Sequence, residues 1–161
     1  MHTIGYEGAA IAGFLTALEA AGVSLVVDVR AVAVSRRKGF SKTALGLALA
    51  DAGIRYMHLR DLGDPKPGRE AARAGKMAAF RRIYRAHLAT DAAQQALSQA
   101  TGLAQAEAAC LLCYEAEPTG CHRSIVAAAI AETTGLGVHH IYVDGLAGRT
   151  TGFGEGRPTA E

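Results

Sequence analysis

The chain has no tryptophan, only three cysteines, and no apolar run near the roughly 18 residues that would suggest a membrane span. An odd cysteine count does not close a disulfide framework, and the start MHTIGYEG lacks the basic and apolar regions of a secretory signal. The thiols are therefore expected to be reduced, in a cytoplasmic protein with no membrane role. Net charge is scarce too. Seventeen Lys and Arg against 15 Asp and Glu leave +2, too little to argue by itself for nucleic acid or a membrane surface. There is no internal repeat, and the missing tryptophan beside abundant alanine carries no functional information. What remains is half apolar and a fifth charged over 161 residues, as expected of one globular domain with a real core.

Segments of two periods alternate along the chain. Short runs of β-formers at 3–6, 24–29, 54–59, 110–114 and 138–143 read as strands. Between them, 11–21, 42–52, 78–88, 91–106 and a stretch from Cys121 read as helices. The run SLVVDV at 24–29 is apolar on both faces, which suits a parallel strand covered on both sides. Segment 61–75, with two prolines and three glycines, is expected to be irregular. The expected fold is α/β, a single three-layer domain over 1–143 with a mostly parallel sheet of about five strands flanked by helices. Residues 144–161, with five glycines, are expected to form a flexible tail or a lid over the site.

In such sheets, ligands sit outside the C-terminal strand ends. The residues expected there are Tyr6 and Glu7, then Asp28 and Arg30, then His58, then Cys113 and Glu115, with Cys121, His122 and Arg123 at the next helix start. The opposite ends read Ser24, Arg55 and Glu107. Chemistry-bearing groups thus gather on one edge. The stretch CLLCYEAEPTGCHRSIVAAAI at 110–130 is central. A helix N-terminus carries about half a positive charge, so Arg123 and His122 in its first turn make sense beside an anion.

Each constellation has a competing reading. Cys121 is a candidate nucleophile, its thiol pKa lowered by the helix start and nearby cations. The loops of cysteine phosphatases and rhodaneses place Arg six residues after Cys. Ala127 and Thr119 stand at that offset from Cys121 and Cys113 here, so that loop is not encoded. Glu115 and His58 are candidate acid–base groups, with Glu7 able to pair with Glu115. Asp28 and Arg30 form either an internal salt bridge or a unit in which Asp28 orients a cation such as Arg123 while Arg30 reaches ligand. Arg36, following Ser35, is the ligand candidate of its basic loop. On a strand, Cys110 and Cys113 face opposite sides, so they do not chelate together. Cys113, Cys121, His122 and Glu115 are a conceivable ligand set, but their spacing matches no common zinc pattern, and no metal is assigned. His139 and His140, at the far edge, are expected to be structural.

The ordered series T-I-G, D-V-R (Asp28 to Arg30), S-R (Ser35, Arg36), G-F (Gly39, Phe40), G-I-x-Y-x-H-L-x-x-L-G (53–63) and C-x-E-x5-C-H-R (113–123) resembles the domain of unknown function 488 family. The resemblance spans roughly residues 3 to 142 and implies an α/β domain; it supplies no reaction and no cofactor. The chain departs from the pattern in places. His and Ser commonly follow T-I-G where Tyr6 and Glu7 stand, a common Pro is Ala33, and the usual second Gly after L-G is Asp64. The first change alters a pocket wall.

The expected function is binding of a small anionic ligand, phosphate-bearing or nucleotide-like, at the C-terminal strand ends. Tyr6, Glu7, Asp28, Arg30, Ser35, Arg36, His122 and Arg123 are its expected contacts, and Cys121, Glu115 and His58 are the groups for any catalysis. The alternative is a nucleic-acid module using Arg30, Arg36 to Lys38, Arg69, Arg73, Lys76, Arg81 and Arg82 as a basic face. A thiol-redox protein is a third reading and needs Cys113 and Cys121 within bonding reach.

Overall fold

The computed structural model describes residues 1–143. It contains five strands, β1 (His2–Gly5), β2 (Leu25–Asp28), β3 (Arg55–His58), β4 (Ala109–Cys113) and β5 (His139–Ile141). Six α-helices accompany them: α1 (Ile11–Ala20), α2 (Lys42–Asp51), α3 (Lys66–Arg73), α4 (Met77–Leu88), α5 (Asp91–Ala106) and α6 (His122–Thr134). The strands form one sheet in the order β3-β2-β4-β1-β5, and every neighbouring pair is parallel.

The apolar runs explain this order. β2 and β4 are buried at every position and lie inside the sheet, while β5 and β3, with exposed or half-buried residues, lie at the edges. Side chains alternate between faces. Leu25, Val27 and Leu111 pack against Phe80 and Tyr84 of α4, the alanines of α5 and Val126 and Ile130 of α6. Ile4, Val26, Cys110 and Leu112 pack against Phe14 and Leu18 of α1 and Leu45 and Leu49 of α2. This is a three-layer α/β domain with an entirely parallel sheet.

From β1 the chain passes through α1 over β4 to β2, whereas from β4 it passes through α6 over β1 to β5. These neighbouring strands send their helices to opposite faces, which makes the β1/β4 junction a topological switch point and the expected crevice for a ligand. The loop leaving β4 runs very close to β1 there. A Cβ on Gly5 would stand 1.7 Å from the Glu115 carbonyl oxygen, so only glycine fits.

Segment 61–75 is not irregular: a 3₁₀ turn (Arg60–Leu62) and α3 occupy most of it. Pro65 is the N-cap of α3 and Pro67 lies in its first turn. The first turn's N–H groups have no intrahelical acceptor, so proline costs little there. The helix expected at 91–106 is capped by Thr90, whose hydroxyl accepts from the Ala93 N–H. Cys121 is the N-cap residue of α6, and Gly135 ends that helix in the left-handed region at φ 75°. The expected tail or lid at 144–161 lies outside the described residues. At the edge of the sheet away from the site, Ser24 donates to Glu107, which also pairs with Arg55.

Candidate functional site

A cleft of about 1170 Å³ opens over the C-terminal strand ends. The loop after β2 supplies Arg30, Ser35, Arg36, Arg37 and Lys38 to it. Asp64 and the α3 residues Arg69 and Arg73 face it from the segment that follows β3. Cys113, Tyr114 and Glu115 enter from the end of β4, His122 from the start of α6, and Tyr6 and Phe80 also line it. Of the expected residues, then, Tyr6, Arg30, Ser35, Arg36, Glu115 and His122 line one cleft. Glu7, Asp28, His58, Cys121 and Arg123 are not among its lining residues.

Asp28 and Arg30 make the internal pair. Arg30 Nε and Nη2 donate to the two Asp28 oxygens at 2.9 and 2.7 Å, in the bidentate geometry that suits a guanidinium. Arg30 Nη1 reaches the Phe40 carbonyl at 2.7 Å and Tyr6 Oη at 3.2 Å. Burial disfavours the cation, but Asp28 and Tyr6 outweigh it and hold Arg30 more firmly protonated than usual. Tyr56 Oη donates to Asp28 Oδ2 at 2.6 Å, so that carboxylate is fully occupied and does not orient Arg123. His58 Nε2 donates to the Arg30 carbonyl at 2.7 Å, a strut beneath the cleft rather than a base within it.

Arg123 is fully buried and is spent on the fold. Its Nε donates to Thr3 Oγ1 at 3.2 Å, Nη1 to the Glu115 carbonyl and Nη2 to the Ala116 carbonyl at 3.1 Å. It thereby fixes the loop that Gly5 admits. These carbonyls, in place of the expected anion, supply the negative ends that offset the helix dipole. Glu7 serves the same loop, its Oε2 accepting from the Ala116 N–H at 3.1 Å, and so it does not pair with Glu115 in the cleft.

Cys113, Cys121 and His122 bring Sγ, Sγ and Nδ1 within 4.8 Å of one another. His122 Nε2 lies 2.7 Å from the Val29 carbonyl oxygen. A carbonyl only accepts, so Nε2 carries a proton, and in the neutral ring Nδ1 presents a lone pair. That lone pair is 3.6 Å from Cys113 Sγ and 4.0 Å from Cys121 Sγ. The Cys113 thiol donates to Glu115 Oε2 at 3.2 Å.

The lowered thiol pKa expected for Cys121 is reversed. Burial, and then the hydrogen bond and charge of Cys113, push it well above the ordinary value. At Cys113 the hydrogen bond with Cys121 is the largest influence and pulls down, but burial and Glu115 together carry the thiol up. Neither is an activated nucleophile in this arrangement. Cys110 packs in the core on the other face of the sheet. Asp64 is the other unusual group. It is 5% exposed, its Oδ1 has no hydrogen-bond partner, and burial raises its carboxyl to about 6.

Residues 10–130 match the family model described as Domain of unknown function DUF488. The chain belongs to this family. No curated protein and no solved structure matches it. The DUF488 span takes in most of the cleft lining, from Arg30 to His122, but not Tyr6, which stacks on Phe40 with ring centroids 4.5 Å apart.

Several cleft residues of this DUF488 domain were absent from the expected contacts of the small anion, Arg69 and Arg73 having entered only through the nucleic-acid alternative. Arg69 and Arg73 stand one turn apart on α3, and recognising Pro65 as a helix start would have put them on one face. Asp64 was visible as a departure from the family pattern, without its burial. Cys113 was visible as a strand-end thiol, but its approach to His122 depends on the turn through Pro118 and Gly120, which spacing alone does not fix.

Proposed function

We propose that this DUF488 protein binds a small anionic, phosphate-bearing ligand of nucleotide size in the cleft. The supporting observation is the charge of its lining. Arg36, Arg37, Lys38, Arg69 and Arg73 face Asp64 and Glu115, while Arg30 is already neutralised by Asp28. Arg37 and Arg69 each give one Nη to a backbone carbonyl, of Ala9 and Asp64 respectively, which positions their guanidinium groups at the rim. Among the described residues, Arg36, Lys38 and Arg73 take part in no ion pair. Guanidinium forks suit phosphate oxygens, and their attraction is strengthened where the cleft excludes water. The volume stands at or above the roughly 300–1,000 Å³ of ordinary ligand sites. The exposed ring of Tyr114, edge-on to Tyr6 at 5.3 Å, offers a face for a planar group beside the phosphate.

Lys76, Arg81 and Arg82 do not line this cleft, and Arg30 is withdrawn into its pair, so the cleft offers five of the nine cations named for the nucleic-acid reading. A thermal-shift comparison tests the proposal with inorganic pyrophosphate, a nucleoside diphosphate, the uncharged nucleoside and a short oligonucleotide. At a hundredfold excess over Kd, a ligand stabilises by about 2.7 kcal/mol. For a chain of this length that is a rise of roughly 5–10 °C in Tm. The diphosphates are expected to produce it and the nucleoside is not. No shift with either diphosphate, or a shift with the oligonucleotide alone, would overturn the proposal.

A further inference from the structure

We propose that Cys113, Cys121 and His122 hold a single zinc(II) ion, with one coordination position left open toward the cleft. The inference rests on the thiol–imidazole geometry and not on the cations that support anion binding.

The donor set has the right chemistry. Two thiolates and an imidazole are the soft and borderline ligands that favour zinc over magnesium, calcium or manganese. Their atoms already converge within 4.8 Å. With Zn–S about 2.3 Å and Zn–N about 2.0–2.1 Å, the edge of a tetrahedron between sulfur and nitrogen is about 3.5 Å long. The separations from His122 Nδ1 are 3.6 and 4.0 Å, so little movement is needed.

The imidazole is also set for the task. Its Nε2–H is fixed by the Val29 carbonyl, the kind of outer partner that orients a metal-binding histidine. Nδ1 therefore points its lone pair at the two sulfurs, in a side chain 5% exposed. Among the described residues the only hydrogen-bonding atoms near that lone pair are the two sulfurs, whose thiols would give up their protons. A metal resolves the arrangement. Each thiol releases its proton to solvent, two Zn–S bonds and one Zn–N bond form, and the two thiolates cancel the charge of the ion. A neutral unit is far less costly to bury than two unpaired thiolates.

Access and an open position follow from the lining. Cys113 and His122 face the cleft while Cys121 lies behind them, so an ion enters from the cleft and keeps its fourth position on that side. Glu115 stands beside that position, its Oε2 3.2 Å from Cys113 Sγ. Three protein ligands plus an open position are the pattern of zinc sites that polarise a bound water or substrate oxygen, in contrast to closed structural sites. The rival occupant of the same geometry is a Cys113–Cys121 disulfide.

The test uses the full chain, reduced and stripped with a chelator, then titrated with cobalt(II) followed by zinc(II). The expected result is a thiolate-to-cobalt charge-transfer absorption that saturates at one equivalent and is bleached by zinc. In weakly buffered solution, about two protons should be released per ion. The Cys110→Ala variant should keep the absorption. Cys113→Ser should lose much of it and weaken zinc binding by more than the roughly tenfold to hundredfold caused by losing an outer partner. The wild-type titration decides the matter even if a variant does not fold. Absence of the absorption at saturating cobalt would overturn the proposal. So would loss of it in Cys110→Ala but not in Cys113→Ser, or a Cys113–Cys121 disulfide in the protein as isolated without metal.

Discussion

Replacing Arg123 by alanine should damage the fold before it affects any ligand. The guanidinium is fully buried and donates to Thr3 Oγ1 and to the carbonyls of Glu115 and Ala116. Thr3 Oγ1 keeps a second partner, His140 Nδ1 at 2.7 Å, so its loss is modest. The two carbonyls are left behind in a part-buried crevice. Each unsatisfied acceptor costs about 1–3 kcal/mol, and the vacated volume adds to this. Removing a buried cation returns part of its desolvation cost. A net loss of about 3 kcal/mol is the expected balance, equivalent to roughly 6–12 °C in Tm for a chain of this size. Urea unfolding of the wild type, Arg123→Ala and Arg123→Lys would measure it, with lysine recovering only part because one ammonium cannot span both carbonyls. A loss below about 1 kcal/mol, the usual range for a surface change, would refute the clamp and return Arg123 to the list of ligand contacts.

Other outcomes follow from single contacts. Gly5→Ala should prevent folding or cost more than about 4 kcal/mol, because its Cβ would collide with the Glu115 carbonyl, whereas Gly102→Ala, with open space around it on α5, should stabilise by about 0.5–1 kcal/mol in the same melts. Asp64 titrates at about 6 when folded, against 3.8 ordinarily, in the field of His122, Arg69, Glu115 and His87. The folded state thus binds more protons between these values, so Asp64's contribution is present below about pH 4 and is lost as pH rises through 6; Asp64→Asn should flatten that part of a stability–pH curve by on the order of 1–3 kcal/mol. In alkylation of the reduced native protein followed by peptide mapping, Cys113, on the cleft, should label before Cys110, which is buried in the core with a raised pKa; equal rates would mean that labelling goes through global unfolding.

The fold was legible because its signals are local and redundant. SLVVDV and ACLLC each announce a strand covered on both faces, and the helices between them force parallel pairing. The helix at Lys66–Arg73 was hidden because Pro65 and Pro67 read as loop residues unless a helix start is already placed there. The site was legible as an edge rather than as a set of contacts. Reading strand ends brought Tyr6, Arg30, Glu115 and His122 to one cleft, but it could not tell which side chains are consumed in holding it. Arg123 and Glu7 are such cases, and both secure the Glu115–Ala116 backbone. Their role depends on the close pass of β1 by the loop after β4, a long-range contact with no trace in either segment alone. The same holds for His122, whose tautomer is set by Val29, 93 residues earlier in the chain.

Calorimetric titration of pyrophosphate tests whether the cations around the cleft bind phosphate oxygens. The comparison is between wild type and an Arg36→Ala, Arg73→Ala double variant, each at low and moderate salt. Both arginines are exposed and in no ion pair among the described residues, so the variant should melt within about 0.5 kcal/mol of wild type per substitution. Wild type should bind one pyrophosphate with an affinity that weakens as salt rises. The double variant should bind at least about tenfold more weakly, since each charge-assisted contact contributes roughly 1.5–3 kcal/mol when well formed. Equal affinity in the two proteins, or no heat of binding in the wild type, would contradict the account.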